Sequence, residues 1–167
     1  GACAALAYAH AKTGDDGEPL AIVHRDISPG NIFVGVDGGV KVIDFGIARS
    51  TLKEHQTETG LVRGKVSYMS PEQCRGAALD GRSDVFSLGV TLYELVTGVL
   101  PHQGEDDFDL RKAIVERPAR SPGSYRLDLE ASIDAAILTA IEKDPAHRHP
   151  TPAAFAAALH AAARTAN

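Results

Sequence analysis

The sequence predicts a mainly α-helical domain with a few short antiparallel strands, and three observations carry that expectation. From Val85 to Thr97, apolar residues fall on nearly every face, the pattern of a helix buried all round. Asp109 to Glu116, Ser132 to Lys143 and Pro152 to Ala166 also read as helices, with Ser132 and Thr151 as candidate N-caps. The β-branched runs, by contrast, are few and small: Ala21 to Val23, Ile32 to Val34 and Val40 to Ile43. A chain of 167 residues with 44% hydrophobic content supports one core, so one unit over 1–167 is expected.

In chain order, Ala2 to Ala11 is helix-forming with no capping residue ahead of it, as though the sequence opened midway through a helix. Leu6, Tyr8 and Ala9 supply its apolar positions, and Gly14-Asp15-Asp16-Gly17 ends it by turn chemistry. Asp37-Gly38-Gly39 joins the second and third strands as a hairpin turn. Ser50 to Lys65 has no apolar periodicity and reads as a loop longer than compact domains keep without a function. The Ala-rich last helix has strong propensity and a weak apolar face.

Composition excludes several functions. Lys plus Arg number 17 against 22 for Asp plus Glu, a formal −5, which leaves no electrostatic footprint for nucleic acid or an anionic membrane. Cys3 and Cys74 are too few and too far apart for a disulfide framework or a zinc site, so reduced cytoplasmic thiols are expected. No apolar run is long enough to span a bilayer.

The most informative stretch is His24-Arg25-Asp26-Ile27-Ser28-Pro29-Gly30-Asn31, followed after the strand pair by Asp44-Phe45-Gly46. These residues resemble the protein kinase family, whose catalytic loop reads H-R-D-x-x-x-x-N and whose magnesium loop reads D-F-G. Ser70-Pro71-Glu72 is similar to the family's A-P-E, and Tyr68 to Gln73 has the form found in bacterial Ser/Thr kinases of eukaryotic type. The resemblance implies the mostly helical C-terminal lobe of a kinase, with strand pairs at the cleft, the catalytic loop at 24–31, the activation segment at 44–72 and a helical subdomain at 80–167. It implies phosphoryl transfer from ATP to Ser or Thr of a protein substrate, with two Mg²⁺ ions. Asp26 would accept the hydroxyl proton, Asn31 and Asp44 would offer hard oxygens to Mg²⁺, and Phe33 would form the adenine floor. His24, Phe45 and Gly46 would be structural. Asp84 would hold the catalytic-loop backbone, and Glu72 would pair with Arg148 in the interior. Arg25 would receive a phosphate placed on Thr57 or Thr59 of the activation segment.

Two positions depart from the family pattern. Ser28 stands where the catalytic loop usually has Lys, and Lys65 stands where the activation segment usually has Thr. The pair looks exchanged, so Lys65 is expected to reach back and supply the cation near Asp26, with Ser28 supplying the hydroxyl. No G-x-G-x-x-G occurs in the chain, and the family's phosphate-covering strands and their lysine would belong to an N-lobe preceding residue 1. The fragment by itself is therefore expected to be inactive, and a non-catalytic kinase-like binding module is the alternative.

Overall fold

The computed structural model describes residues 1–45 and 61–165. Helix α1 (Ala2–His10) leads through an irregular stretch into a 3₁₀ turn at Pro29–Asn31. Strands β1 (Ile32–Val34) and β2 (Val40–Val42) follow as an antiparallel pair in the register Ile32 to Val42, Phe33 to Lys41 and Val34 to Val40. The remaining helices are α2 (Leu61–Val66), α3 (Pro71–Arg75), α4 (Gly81–Thr97), α5 (Asp107–Glu116), α6 (Ala131–Ala140) and α7 (Pro152–Thr165).

Helix α4 is the axis. Every residue from Ser83 to Thr91 is buried, whereas Leu95 near its C-terminus is exposed. One side packs Phe86, Val90 and Tyr93 with Val66, Leu110, Ile114, Ile137 and Ile141. The other packs Val85 and Leu88 with Leu6, Ile27, Ala136, Ala140 and Phe155. Two of its buried hydroxyls are satisfied within the helix, Ser87 donating to the Ser83 carbonyl and Thr91 to the Ser87 carbonyl. Gly89 marks a close approach of α4 to α6: a Cβ there would lie 2.8 Å from both the Ala140 Cβ and the Ile141 Cγ2. Asp80 caps α4 by accepting from the Arg82 amide.

Several elements differ from expectation. Ala21 to Val23 is not a strand. Ala21 takes φ +46° and Arg25 φ +69°, left-handed values incompatible with a continuous extended run. The third strand ends at Val42, one residue short. Of the loop expected over 50–65, residues 61–65 are helical, because α2 runs on to Val66, which is fully buried and fastens that turn to the core. Helix α3 went unread, although Ser70 and Gln73 form a capping box, Pro71 occupies the first turn, and Gly76 closes the helix at φ +65°.

Helices α4 and α5 begin earlier than expected, capped by Asp80 and by Asp106. Helix α6 runs Ala131–Ala140, with Ser132 inside the helix instead of capping it. Thr151 does cap α7, accepting from the Ala154 amide at 3.1 Å. In α1, Leu6 and Ala9 face the core while Tyr8 stays exposed beneath the Lys12 ammonium. The hairpin forms as expected, with Gly38 at φ +78°, where a side chain would be strained.

Candidate active site

The site is organised from the core outward by Asp84. Only 1% exposed in the first turn of α4, its carboxylate accepts from the His24 amide at 2.8 Å and the Arg25 amide at 2.9 Å. The His10 Nε2 lies 2.8 Å from the same carboxylate, tying α1 to that point. The backbone at Arg25 is strained, and both ends of the residue are held. Its amide goes to Asp84 and its carbonyl accepts from the Gln73 Nε2 at 2.8 Å.

His24 is fully buried and stacks at 4.5 Å on Phe45. Its Nδ1 accepts from the Asp26 amide at 3.3 Å, which leaves Nε2 to donate to the Ile43 carbonyl at 2.8 Å. One imidazole thus spaces the 24–26 turn from the strand leading to Asp44. Asn31 adds a further tie, its Nδ2 donating to the Asp26 carbonyl at 2.7 Å and its own carbonyl accepting from the Ile43 amide.

These bonds present Asp26 with its side chain 14% exposed, and the Lys65 ammonium meets its Oδ2 at 2.7 Å. Arg25, Ile27, Tyr68, Met69 and Ser87 complete the surroundings, leaving only about 10 Å³ of space beside the pair. Lys65 thus reaches Asp26, the contact that the exchanged positions anticipate. For Ser28, the structure shows a carbonyl that accepts from the Asn31 amide in the 3₁₀ turn, and no bond of its hydroxyl to another described residue.

Asp44 follows the hairpin at φ +57°, an aspartate in a conformation glycine usually takes, with an exposed side chain. Asn31 and Asp44 fit a hard cation by donor chemistry. The amide nitrogen of Asn31 is committed to Asp26, so its oxygen is the free end, and Asp44 offers a carboxylate. Phe33 stands on β1, 55% exposed, while Ile32 and Val42 pack against the core. Gly46, Thr57 and Thr59 lie outside the described residues.

Away from Asp26, Glu72 and Arg148 make a bidentate pair at 2.7 and 2.8 Å. All five guanidinium donors of Arg148 are used, the other three on the carbonyls of Arg82, Glu142 and Lys143. Ser83 adds a hydroxyl bond to Glu72 at 2.7 Å. Burial alone would raise the Glu72 carboxyl, but the bonds from Arg148 and Ser83 outweigh it and hold the group below its ordinary range.

Sequence reasoning missed His10, Gln73 and Ser83, which hold the framework from behind. Gln73 was readable, since Ser70 and Gln73 carry a capping-box spacing. Nothing in the spacing of His10 marks it. An apolar cavity of about 590 Å³ lies among α1, the hairpin, α4 and α7, and touches none of Asp26, Asn31 or Asp44.

A buried aspartate pinning a strained H-R-D turn, with an asparagine and a second aspartate beyond a hairpin, defines the phosphotransfer framework of protein kinases. The chain belongs to the protein kinase family: the model described as "Protein kinase domain" matches residues 2–156. It is 45% identical over 154 residues to the tyrosine-protein kinase MasK of Myxococcus xanthus, covering 92% of this chain and 24% of that protein. It is 42% identical over 151 residues to the probable serine/threonine-protein kinase PknB of Corynebacterium glutamicum, covering 87% and 23%. To the serine/threonine-protein kinase PknB of Mycobacterium tuberculosis it is 39% identical over 160 residues, covering 95% and 24%. The chain thus spans about a quarter of the length of these curated relatives. Its fold is that of a kinase C-terminal lobe, mostly helical with one antiparallel pair among the described residues. No helix among them is long and apolar enough to cross a membrane.

Proposed function

We propose that this chain is the C-lobe of a cytoplasmic protein kinase that transfers the γ-phosphoryl group of ATP to a serine or threonine hydroxyl of a protein substrate. The observation that carries the reading is the Lys65 ammonium 2.7 Å from the Asp26 carboxylate, on a turn held by Asp84. Asp26 accepts the proton as the substrate oxygen bonds to the γ-phosphorus and the bond from that phosphorus to the ADP oxygen breaks. Lys65 orients Asp26 and places positive charge beside the transferring group, the part usually played by a lysine at the Ser28 position. Asn31 and Asp44 would hold Mg²⁺, which when bound neutralises phosphate charge. Phe33 forms the adenine floor, and an N-lobe supplies the roof and the remaining phosphate contacts. Serine/threonine specificity follows the two PknB relatives, so phosphoamino-acid analysis of the full-length protein should return phosphoserine or phosphothreonine; phosphotyrosine alone would favour the MasK-like alternative.

In the full-length protein, Lys65→Ala should lower turnover by at least about tenfold, roughly 1.4 kcal/mol in the barrier. Steady-state kinetics with a change under about threefold would remove Lys65 from the mechanism. The double change Ser28→Lys with Lys65→Thr restores the usual placement of charge and hydroxyl, and should recover most of what Lys65→Thr loses alone.

Phosphate on Thr57 or Thr59 is the proposed activation signal. The Arg25 Nε, buried and without a hydrogen-bond partner among the described residues, supports it, because a guanidinium with a spare donor is what a phosphate oxygen seeks. Mass spectrometry of the autophosphorylated full-length protein should find one of these threonines modified; an active enzyme modified at neither would end this assignment.

A further inference from the structure

The peptide plane that joins Arg25 to Asp26 is held at both of its polar ends. Its N–H donates to the His24 Nδ1 at 3.3 Å, and its carbonyl accepts from the Gln73 Nε2 at 2.8 Å. The second bond is the shorter, and among the described residues it is the one hydrogen bond that carbonyl accepts. Two circumstances make it matter. Arg25 sits at φ +69°, a strained value that persists only where the surroundings over-determine it. The plane also runs directly into the Asp26 Cα, so its tilt bears on where the carboxylate that Lys65 meets at 2.7 Å is presented.

Gln73 is itself fixed from the other side. Its Oε1 accepts from the Ser70 amide at 2.9 Å, and its own amide donates to the Ser70 hydroxyl at 3.3 Å, which closes the capping box of α3. The preceding residue, Glu72, locks α3 to the core through Arg148. The two partners of the Gln73 side chain are main-chain groups of fixed character, one N–H and one carbonyl, so one orientation of the amide satisfies both.

The residue type is informative. Glutamate closes a capping box as well as glutamine does, and the helix dipole favours a negative charge in the first turn. Local rules therefore make glutamate at least the equal of Gln73. What a carboxylate cannot do is donate to a carbonyl. The choice of an amide answers to Arg25, 48 residues away, and not to the helix that contains it.

We propose that Gln73 is a positioning residue for phosphotransfer, whose amide sets the Arg25–Asp26 peptide plane and makes the presentation of Asp26 depend on the seating of α3. The inference rests on the kinase reading of the site. Helices α2 and α3 then hold Asp26 separately: Lys65 takes the side chain, and Gln73 takes the backbone that carries it.

The test is Gln73→Glu in the full-length protein, because it keeps the cap and removes only the donor. Its thermal unfolding should match the wild type. Turnover at about pH 8 should fall at least about tenfold with the KM for ATP little changed, since the bond serves the base and not nucleotide binding. The deficit relative to wild type should narrow as pH falls to about 5.5, because the introduced carboxyl beside a carbonyl oxygen takes up a proton and regains a donor. Gln73→Ala loses cap and donor together, so it should show the same loss of turnover at every pH, and it carries the test if the introduced charge disturbs folding. Hydrogen exchange over residues 24–31 should quicken in both variants. Wild-type turnover in either variant, or a Gln73→Glu deficit that does not change with pH, would overturn the proposal. So would unchanged exchange over 24–31, a measurement that needs no phosphotransfer. A wild-type protein without kinase activity would end the kinase reading, and the exchange result would still decide whether Gln73 holds the turn.

Discussion

Asp26→Asn in the full-length kinase should cut turnover by about 10²- to 10⁴-fold while leaving the affinity for ATP little changed. The asymmetry follows from where Asp26 is held. Its main-chain amide and carbonyl are fixed by His24 and Asn31, so an asparagine of the same shape leaves the turn in place. What disappears is the carboxylate proposed to accept the proton, and with it the ion pair that Lys65 makes at 2.7 Å. Single-turnover kinetics with saturating ATP is the direct measurement, and a loss smaller than about tenfold would mean that Asp26 is not the base.

The second large effect concerns stability. Arg148→Ala should destabilise the fold by about 3–5 kcal/mol, because it leaves the Glu72 carboxylate in the interior with Ser83 as its remaining side-chain donor and strips three main-chain carbonyls of their partner. Thermal or urea unfolding of the full-length protein reads this directly. Glu72→Gln with Arg148→Met removes both charges and should cost less than Arg148→Ala alone, since the larger penalty belongs to the stranded charge. A single variant as stable as the double would show that the pair contributes little. The sign with pH follows from the lowered Glu72 carboxyl: its contribution is present above the ordinary value of 4.5 and is lost as pH falls through the lower folded value.

Much of this was legible in the residues, and for identifiable reasons. The H-R-D-x-x-x-x-N and D-F-G stretches combine side chains whose chemistry is specific, and α4 announces itself by apolar residues on every face. The Lys65 contact was legible because an exchange of a lysine and a hydroxyl between two known neighbours leaves a mark in both places. The failures are equally physical. Ile22 and Val23 have strand propensity, but the amides that follow them are claimed by Asp84, sixty residues downstream, and no local pattern reports a distant carboxylate. Ser132 looked like a cap, yet the chain enters α6 one residue earlier, and the nearby Asp134 bonds instead to Ser121 and the Gly123 amide. Short helices such as α2 draw on burial of Val66, a tertiary fact that periodicity over six residues cannot carry.

The three bonds that converge on Asp84 also have a kinetic meaning. An irregular turn would ordinarily open on its own, many times for each opening of the core. Here the amides of His24 and Arg25 end on a carboxylate in the first turn of the most buried helix, so opening the turn means giving up two bonds anchored in the core. The reacting loop is therefore part of the same cooperative unit as the core. Its lifetime is set by the slowest-opening element of the domain and not by its own lack of regular structure.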